Sequence, residues 1–318
     1  MSNMMNKAQG FGLSLITKIA GSEVLDQLKL RKFVEKSLYQ GSKTGFKVLN
    51  KTQKAFKPQA IDKQRLPNQV NKNLFDLSLT EEQQMTVDAM SQFAEEVLYA
   101  LAHDADHQAQ FPEQLWQHLV DLGLNYYALP EALGGVAAEQ NIVSNILIAE
   151  SLAKGDFSLT AGLLSTFSVI NAITRWGSTQ VQSMYLPVFA EDTDVTATFA
   201  FQEATPAFNP YQLKTTATEA NGQFYITGEK TLVILGDTAD VFLVSAEFNG
   251  QPDIFVVQSN ETIAIKANPA MGLKATETAT LQFNQTPALR LGDADFDYTA
   301  FVDLGNLMWC AMAIGTVE

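Results

Sequence analysis

Two histidines stand four residues apart in His103-Asp104-Ala105-Asp106-His107, with carboxylates between them. On a helix this spacing sets both imidazoles on one face, where they could hold a metal ion. His118 is the remaining histidine and Cys310 the single cysteine, so the competing reading is a polar helix end facing water. Other familiar machinery is missing. No GxSxG occurs for a hydrolase elbow, and Gly10 and Gly12 are followed by Leu15 where a dinucleotide loop needs its third glycine. Gly228-Glu229-Lys230-Thr231 fails as a phosphate loop because Glu229 repels phosphate.

The elements that must position any site follow from composition and period. With 318 residues, 46% apolar and 18% charged, the chain is globular and long enough for two domains. A lone cysteine cannot form an internal disulfide, which suggests a reducing, cytoplasmic setting. The longest apolar run near the end, Leu307 to Ile314, falls short of the roughly 18 residues a membrane-spanning helix needs, so no spanning segment is expected.

The net charge of −14 divides unevenly. Residues 1–72 carry 14 Lys and Arg against 4 Asp and Glu; the rest carries 7 against 31. The acidic part repels nucleic acid, which is not expected as a partner. In residues 1–74, Val24, Leu25, Leu28, Phe33, Val34 and Leu38 recur at near-helical spacing among lysines. This basic amphipathic arm suits either packing on the acidic body or peripheral contact with the inner face of a membrane.

From Phe75 to residue 193 the period is helical. Ser78 or Thr80 caps a helix carrying Met85, Met90, Phe93 and Leu98. Phe111-Pro112 opens another, closed by Gly123; residues 139–154, 157–176 and 178–189 read as three more. Over 194–297 the pattern alternates, and Asn221-Gly222 and Asn249-Gly250 sit where type I′ hairpin turns belong. A further strand, Thr278 to Phe283, precedes Pro287. Residues 298–318 return to helical spacing and stop at Glu318 without a cap, so the last helix is expected to be cut off in mid-pattern. The fold class is α+β: an N-terminal helical domain, a middle antiparallel β-domain, and the start of a C-terminal helical domain.

In order and wording these segments resemble the acyl-CoA dehydrogenase family. The resemblance runs from Phe75-Asp76-Leu77-Ser78-Leu79-Thr80-Glu81-Glu82 through Leu122-Gly123-Leu124, Pro130-Glu131, Gly134-Gly135 and Ala149-Glu150-Ser151-Leu152-Ala153. It continues in Trp176-Gly177-Ser178, Tyr185-Leu186-Pro187 and Met271-Gly272-Leu273-Lys274. It implies FAD, an acyl-CoA substrate, α,β-dehydrogenation as in fatty acid β-oxidation, a separate electron-transfer acceptor, and either a homo-oligomer or a complementing C-terminal fragment.

Carried over residue by residue, the flavin positions are Phe199, Phe201, Gln202, Phe208, Leu232 and Ile234. Gln202-Glu203-Ala204 stands where the family has Thr-Glu-Pro, Phe208-Asn209 where it has Ser-Asp, and Leu232-Val233-Ile234 where it has Trp-Ile-Thr. Gln202 keeps a donor for a flavin oxygen, whereas Phe208 and Ile234 lack hydroxyls, each lost hydrogen bond being worth about 0.5–1.5 kcal/mol. The resemblance thus implies FAD held by fewer polar contacts. No catalytic base is found: Gly305 occupies one family base position, the other lies beyond Glu318, and Glu318 sits about 19 Å from Gly305 along a helix axis. Glu203 and Glu277, in motif segments, are the next carboxylates to consider. Three readings stay open: the front part of a dehydrogenase whose base lies elsewhere, a non-catalytic homologue that binds acyl-CoA or a partner, and an interaction or membrane-docking module built on the basic arm.

Overall fold

Thr80 accepts the Gln83 N–H at 3.1 Å while its own N–H donates to the Gln83 side chain at 3.1 Å, a reciprocal cap that starts α1 (Glu81–Phe93). The computed structural model describes residues 78–135, 142–191 and 195–318. The basic arm, its suggested contacts and the first residues of the Phe75 motif lie outside them. A π-helical turn, Ala94–Leu98, carries α1 into α2 (Tyr99–Gln108). After α3 (Gln114–Leu122) and α4 (Leu124–Ala128) come α5 (Ile142–Ala153), α6 (Phe157–Trp176) and α7 (Thr179–Glu191). Asp156 caps α6 by accepting the Leu159 N–H at 2.7 Å, and Asp297 caps α8 (Tyr298–Val317) by accepting the Ala300 N–H at 2.9 Å.

Between α7 and α8 lie β1 (Ala197–Ala200), β2 (Thr216–Ala220), β3 (Gln223–Val233), β4 (Val241–Phe248), β5 (Gln251–Gln258), β6 (Ile263–Ala267) and β7 (Ala279–Arg290). Both Asn-Gly turns have positive φ at both positions, +54° and +77° for Asn221-Gly222 and +52° and +79° for Asn249-Gly250, as a type I′ hairpin requires. The ladder runs β4-β2-β3-β7-β5 and β5 pairs back onto β4, so the sheet closes on itself, with β1 added beside β4 and β6 beside β7.

Two details differ from the sequence reading. The β-domain is mainly antiparallel, but β1 and the start of β2 pair parallel to β4, the chain between them being long enough for the crossover that parallel pairing demands. The strand expected to end before Pro287 continues to Arg290, with Pro287 opposite Tyr225. A register shift between Ile226 and Gly228, and Gln285 at φ +49°, interrupt the ladder just before the proline, where its missing N–H is tolerated.

Alternation along the strands splits the core in two. Leu243, Ile254 and Val256 join the helices in one cluster, while Phe242, Val244, Phe255, Val257, Leu281 and Phe283 fill the closed sheet. The helical layer is thereby fixed against one outer face of the sheet, which is where the site forms.

The run Leu307 to Ile314 understates how apolar the helices are, since two of them are long and apolar enough to cross a membrane by length and composition alone. Phe157–Trp176 and Tyr298–Val317 are both 20 residues long and each contains an 18-residue stretch of mean hydropathy 1.4. Their polar residues are mostly uncharged, so an eighteen-residue stretch of each is apolar on average although no unbroken apolar run is that long. α6 is mostly buried within the fold, as a core helix is, whereas α8 is mostly exposed.

α8 is held against α5 by close backbone approach. A Cβ on Gly315 would stand 2.0 Å from the Glu150 carbonyl oxygen, and backbone cannot yield as a side-chain tip does. Gly315→Ala is therefore expected to cost about 1–3 kcal/mol through overpacking. Thermal unfolding tests this: an unchanged Tm would mean that the two helices separate freely.

Candidate functional site

Thr166 on α6 fixes the start of β1. Its hydroxyl accepts the Ala197 N–H at 3.0 Å and lies 3.3 Å from the Ala197 carbonyl, to which it donates. β1 thus delivers Thr198, Phe199, Phe201 and Gln202 beside α6. The Gln202 carbonyl accepts the Thr231 N–H at 2.8 Å, which brings the end of β3, with Leu232 and Ile234, to the same place. Tyr298 donates from its hydroxyl to the Pro210 carbonyl at 2.8 Å, tying the loop that carries Phe208 to the first turn of α8.

These tethers enclose a cleft of about 450 Å³. One wall is the edge of the β-domain, with Thr198, Phe199, Phe201, Gln202, Phe208, Leu232 and Ile234. The other is helical: Asn145 from α5, Leu164, Ser168, Asn171 and Trp176 from α6, and Phe301, Gly305, Asn306, Met308, Trp309 and Met312 from α8. The walls are largely apolar, with seven aromatic side chains among the described lining residues. Phe301 packs against Trp176 at 5.2 Å and Phe199 at 5.9 Å between ring centroids, and Phe201 meets Phe208 at 6.1 Å. No charged side chain is among the described lining residues.

All the residues taken from the sequence as flavin positions, together with Gly305, line this one cleft. Leu232 is 39% exposed and held at φ +53°, an unusual conformation for a non-glycine residue, at the register shift that ends regular pairing of β3 with β7.

Below the β wall lies an ion pair, Lys230–Glu203, that no sequence motif marks. Lys230 is fully buried and donates to Glu203 at 2.9 Å, to the Ser245 hydroxyl at 2.9 Å and to the Phe201 carbonyl at 3.1 Å. Glu203 also accepts the backbone N–H groups of Lys214 at 2.8 Å and Thr215 at 2.9 Å. Burial drives the Lys230 ammonium down to about 8, although Glu203 pulls the other way. Burial alone would raise the Glu203 carboxyl, but the Thr215 N–H, the Lys230 side chain and the Lys214 N–H outweigh it and hold it below the usual range. The pair is structural. It grips the Phe201 carbonyl from beneath and so sets the backbone that carries Phe201 and Gln202.

This corrects the view of Glu203 as a candidate base, since its oxygens are occupied by Lys230 and two backbone N–H groups and it does not line the cleft. Glu277 is likewise elsewhere: its carboxylate accepts the Phe111 N–H at 3.3 Å. The histidine pair gains no metal set. Among the described residues no three His, Cys, Asp or Glu side chains gather, Asp106 binds Lys274 at 3.1 Å, and His118 packs edge-on to Phe93.

Sequence reasoning also missed Asn145 and Asn171, which face each other at 2.9 Å across α5 and α6 in the helical wall. A polar residue within an apolar helical run was the available signal.

The family model described as acyl-CoA dehydrogenase, N-terminal domain, matches residues 80–193, and that described as acyl-CoA dehydrogenase, middle domain, matches residues 198–286. An acyl-CoA dehydrogenase of Bacillus subtilis is 27% identical over 259 residues, covering 76% of this chain and 67% of the relative. A cyclohex-1-ene-1-carbonyl-CoA dehydrogenase of Geobacter metallireducens is 29% identical, covering 76% and 66%. A probable acyl-CoA dehydrogenase of Bacillus subtilis is 27% identical, with 75% of this chain on 41% of the relative. The chain thus spans between 41% and 67% of the length of these curated relatives. Among solved structures, butyryl-CoA dehydrogenase from Megasphaera elsdenii aligns with TM-score 0.67 at 23% identity, covering 76% of this chain and 67% of that one. The FAD complex of PigA aligns with TM-score 0.66 at 20% identity, again covering 76% and 67%.

Proposed function

The chain belongs to the acyl-CoA dehydrogenase family, and on that premise we propose that its cleft binds FAD and an acyl-CoA thioester for α,β-dehydrogenation of the acyl group, the reaction type of fatty acid β-oxidation. The observation that carries this is the convergence of Phe199, Phe201, Gln202, Phe208, Leu232, Ile234 and Gly305 on one apolar cleft between sheet edge and helices. A lone, exposed cysteine favours a reducing, cytoplasmic setting.

The residues present suit a flavin ring. Phe199, Phe201 and Phe208 supply flat apolar surface, Leu232 adds aliphatic contact, and Gln202 supplies an exposed side-chain donor and acceptor. When bound, FAD supplies the hydride acceptor. Leu232 and Ile234 have no hydrogen-bonding side chain, so the hold rests on packing. Ile234→Thr is accordingly expected to tighten FAD binding about threefold to tenfold, the effect of one added hydrogen bond. Equilibrium dialysis measures it, and unchanged affinity would place the ring away from β3.

The chain's own side chains exclude water and orient. Trp176 and Phe301 pack together in the helical wall, and the Lys230–Glu203 pair holds the Gln202 segment in place. Gly305 presents no acid or base, and none of the described lining residues is a carboxylate or imidazole. That favours a second reading, an acyl-CoA binder that does not oxidise. Both readings require thioester binding. Calorimetric titration with acyl-CoAs of increasing length, against free CoA, is expected to show affinity rising by about 0.8 kcal/mol per buried methylene until the cleft is filled. Affinity equal to that of CoA at every length would contradict both.

A further inference from the structure

The helical wall is not uniformly apolar, and its polar groups have a fixed sense. Asn171 donates from Nδ2 to the Phe167 carbonyl at 2.9 Å. A carbonyl can only accept, so the Asn171 amide cannot be turned round, and its Oδ1 accepts Asn145 Nδ2 at 2.9 Å. Asn145 is therefore locked with its nitrogen toward Asn171 and its Oδ1 left over. Among the described residues nothing donates to that oxygen, and the Ser168 hydroxyl one turn before Asn171 on α6 has no hydrogen bond. Asn145, Ser168 and Asn171 all line the cleft and are half-buried or buried.

An acyl chain entering this cleft meets three conditions. Most of the lining is apolar, which suits hydrocarbon. With no charged residue among the described lining, a second carboxylate or an amine on the chain finds no counter-ion. A plain alkyl group laid over Asn145 strips water from Oδ1 and returns no donor, a loss on the order of tenfold in affinity. A neutral donor resolves all three. We propose that the acyl group this protein takes carries a hydroxyl, which donates to Asn145 Oδ1 with Ser168 as a secondary partner. This rests on the acyl-CoA reading of the cleft, and it makes Asn145 a specificity-determining residue.

The test is calorimetric titration of the full chain with pairs of acyl-CoAs equal in non-hydrogen atoms, one with a hydroxyl and one with a methyl at the same carbon, the position being moved along the acyl chain. At one position the hydroxylated thioester is expected to bind about tenfold tighter than its methyl partner. Asn145→Leu should abolish or invert that preference, and Ser168→Ala should reduce it less. Asn145→Ala and Ser168→Ala, checked by thermal unfolding, keep the test open if Asn145→Leu does not fold. If hydroxyl and methyl partners bind alike at every position, or if the variants leave the ratio unchanged, this inference is overturned while acyl-CoA binding stands. If no thioester binds more tightly than CoA, the acyl-CoA reading falls and this inference falls with it.

Discussion

Gly305→Glu is expected to raise the exchange of the α-protons of bound acyl-CoA with solvent by about 10²–10⁴-fold over the unaltered chain, the usual contribution of a positioned general base. Gly305 lies on α8, lines the cleft, and has nothing within 4 Å of a Cβ built on it, so a longer side chain enters open space. A carboxylate there faces the cleft from the exposed side of α8, ionised and free to accept a proton from a thioester held in the cleft. The helix itself gains, since glycine inside a helix costs about 0.5–1 kcal/mol relative to residues with a Cβ. Deuterium incorporation into an acyl-CoA in D₂O, followed by mass spectrometry, reads the effect without any acceptor. Exchange no faster than for free thioester would mean that the acyl α-carbon does not come within reach of α8.

Breaking the buried ion pair is expected to have the largest effect on stability. Glu203→Ala leaves Lys230 buried without its counter-ion, and breaking such a pair costs about 3–5 kcal/mol. The loss reaches the site as well, because Lys230 also holds the Phe201 carbonyl at 3.1 Å. FAD affinity should fall even at temperatures where the variant remains folded. The pH dependence has a definite sign. The Glu203 carboxyl is held below its ordinary value of 4.5, so the unfolded chain takes up the proton first as pH falls. The stabilisation is complete above about pH 4.5 and is lost as pH falls through the lower folded value. Denaturant unfolding of the chain and of Glu203→Gln from pH 7 to pH 3 checks this. An equally steep acid decline in the variant would assign the effect to other carboxylates.

What the sequence made legible was local. The Thr80 cap, Gly123 in the left-handed conformation at the end of α3, the limits of α6 and both Asn-Gly turns depend on residues within a few positions of one another. Closure of the sheet was not legible, because it depends on β4 meeting β5 while β5 also meets β7, and alternation says which face a strand buries but not its neighbours. The candidate site divides the same way. Its apolar positions followed from motif order. The Lys230–Glu203 pair and the Asn145–Asn171 relay join residues 27 and 26 positions apart, and nothing in either local segment marks a partner. Lys230 in particular stood out in sequence only as part of a failed phosphate loop, Gly228-Glu229-Lys230-Thr231; Glu203 arriving just after β1, with the Ser245 hydroxyl and the Phe201 carbonyl, makes its burial tolerable.

In the function proposed above, FAD and an acyl-CoA thioester share the cleft between the β-domain edge and α6 and α8. The most direct measurement is the visible absorption of the flavin in the chain saturated with FAD, titrated with an acyl-CoA. Shared occupancy predicts a saturable perturbation of the flavin band that tracks thioester binding and is weakened in Gln202→Ala. A flavin band unmoved by a thioester that calorimetry shows to be bound would contradict it.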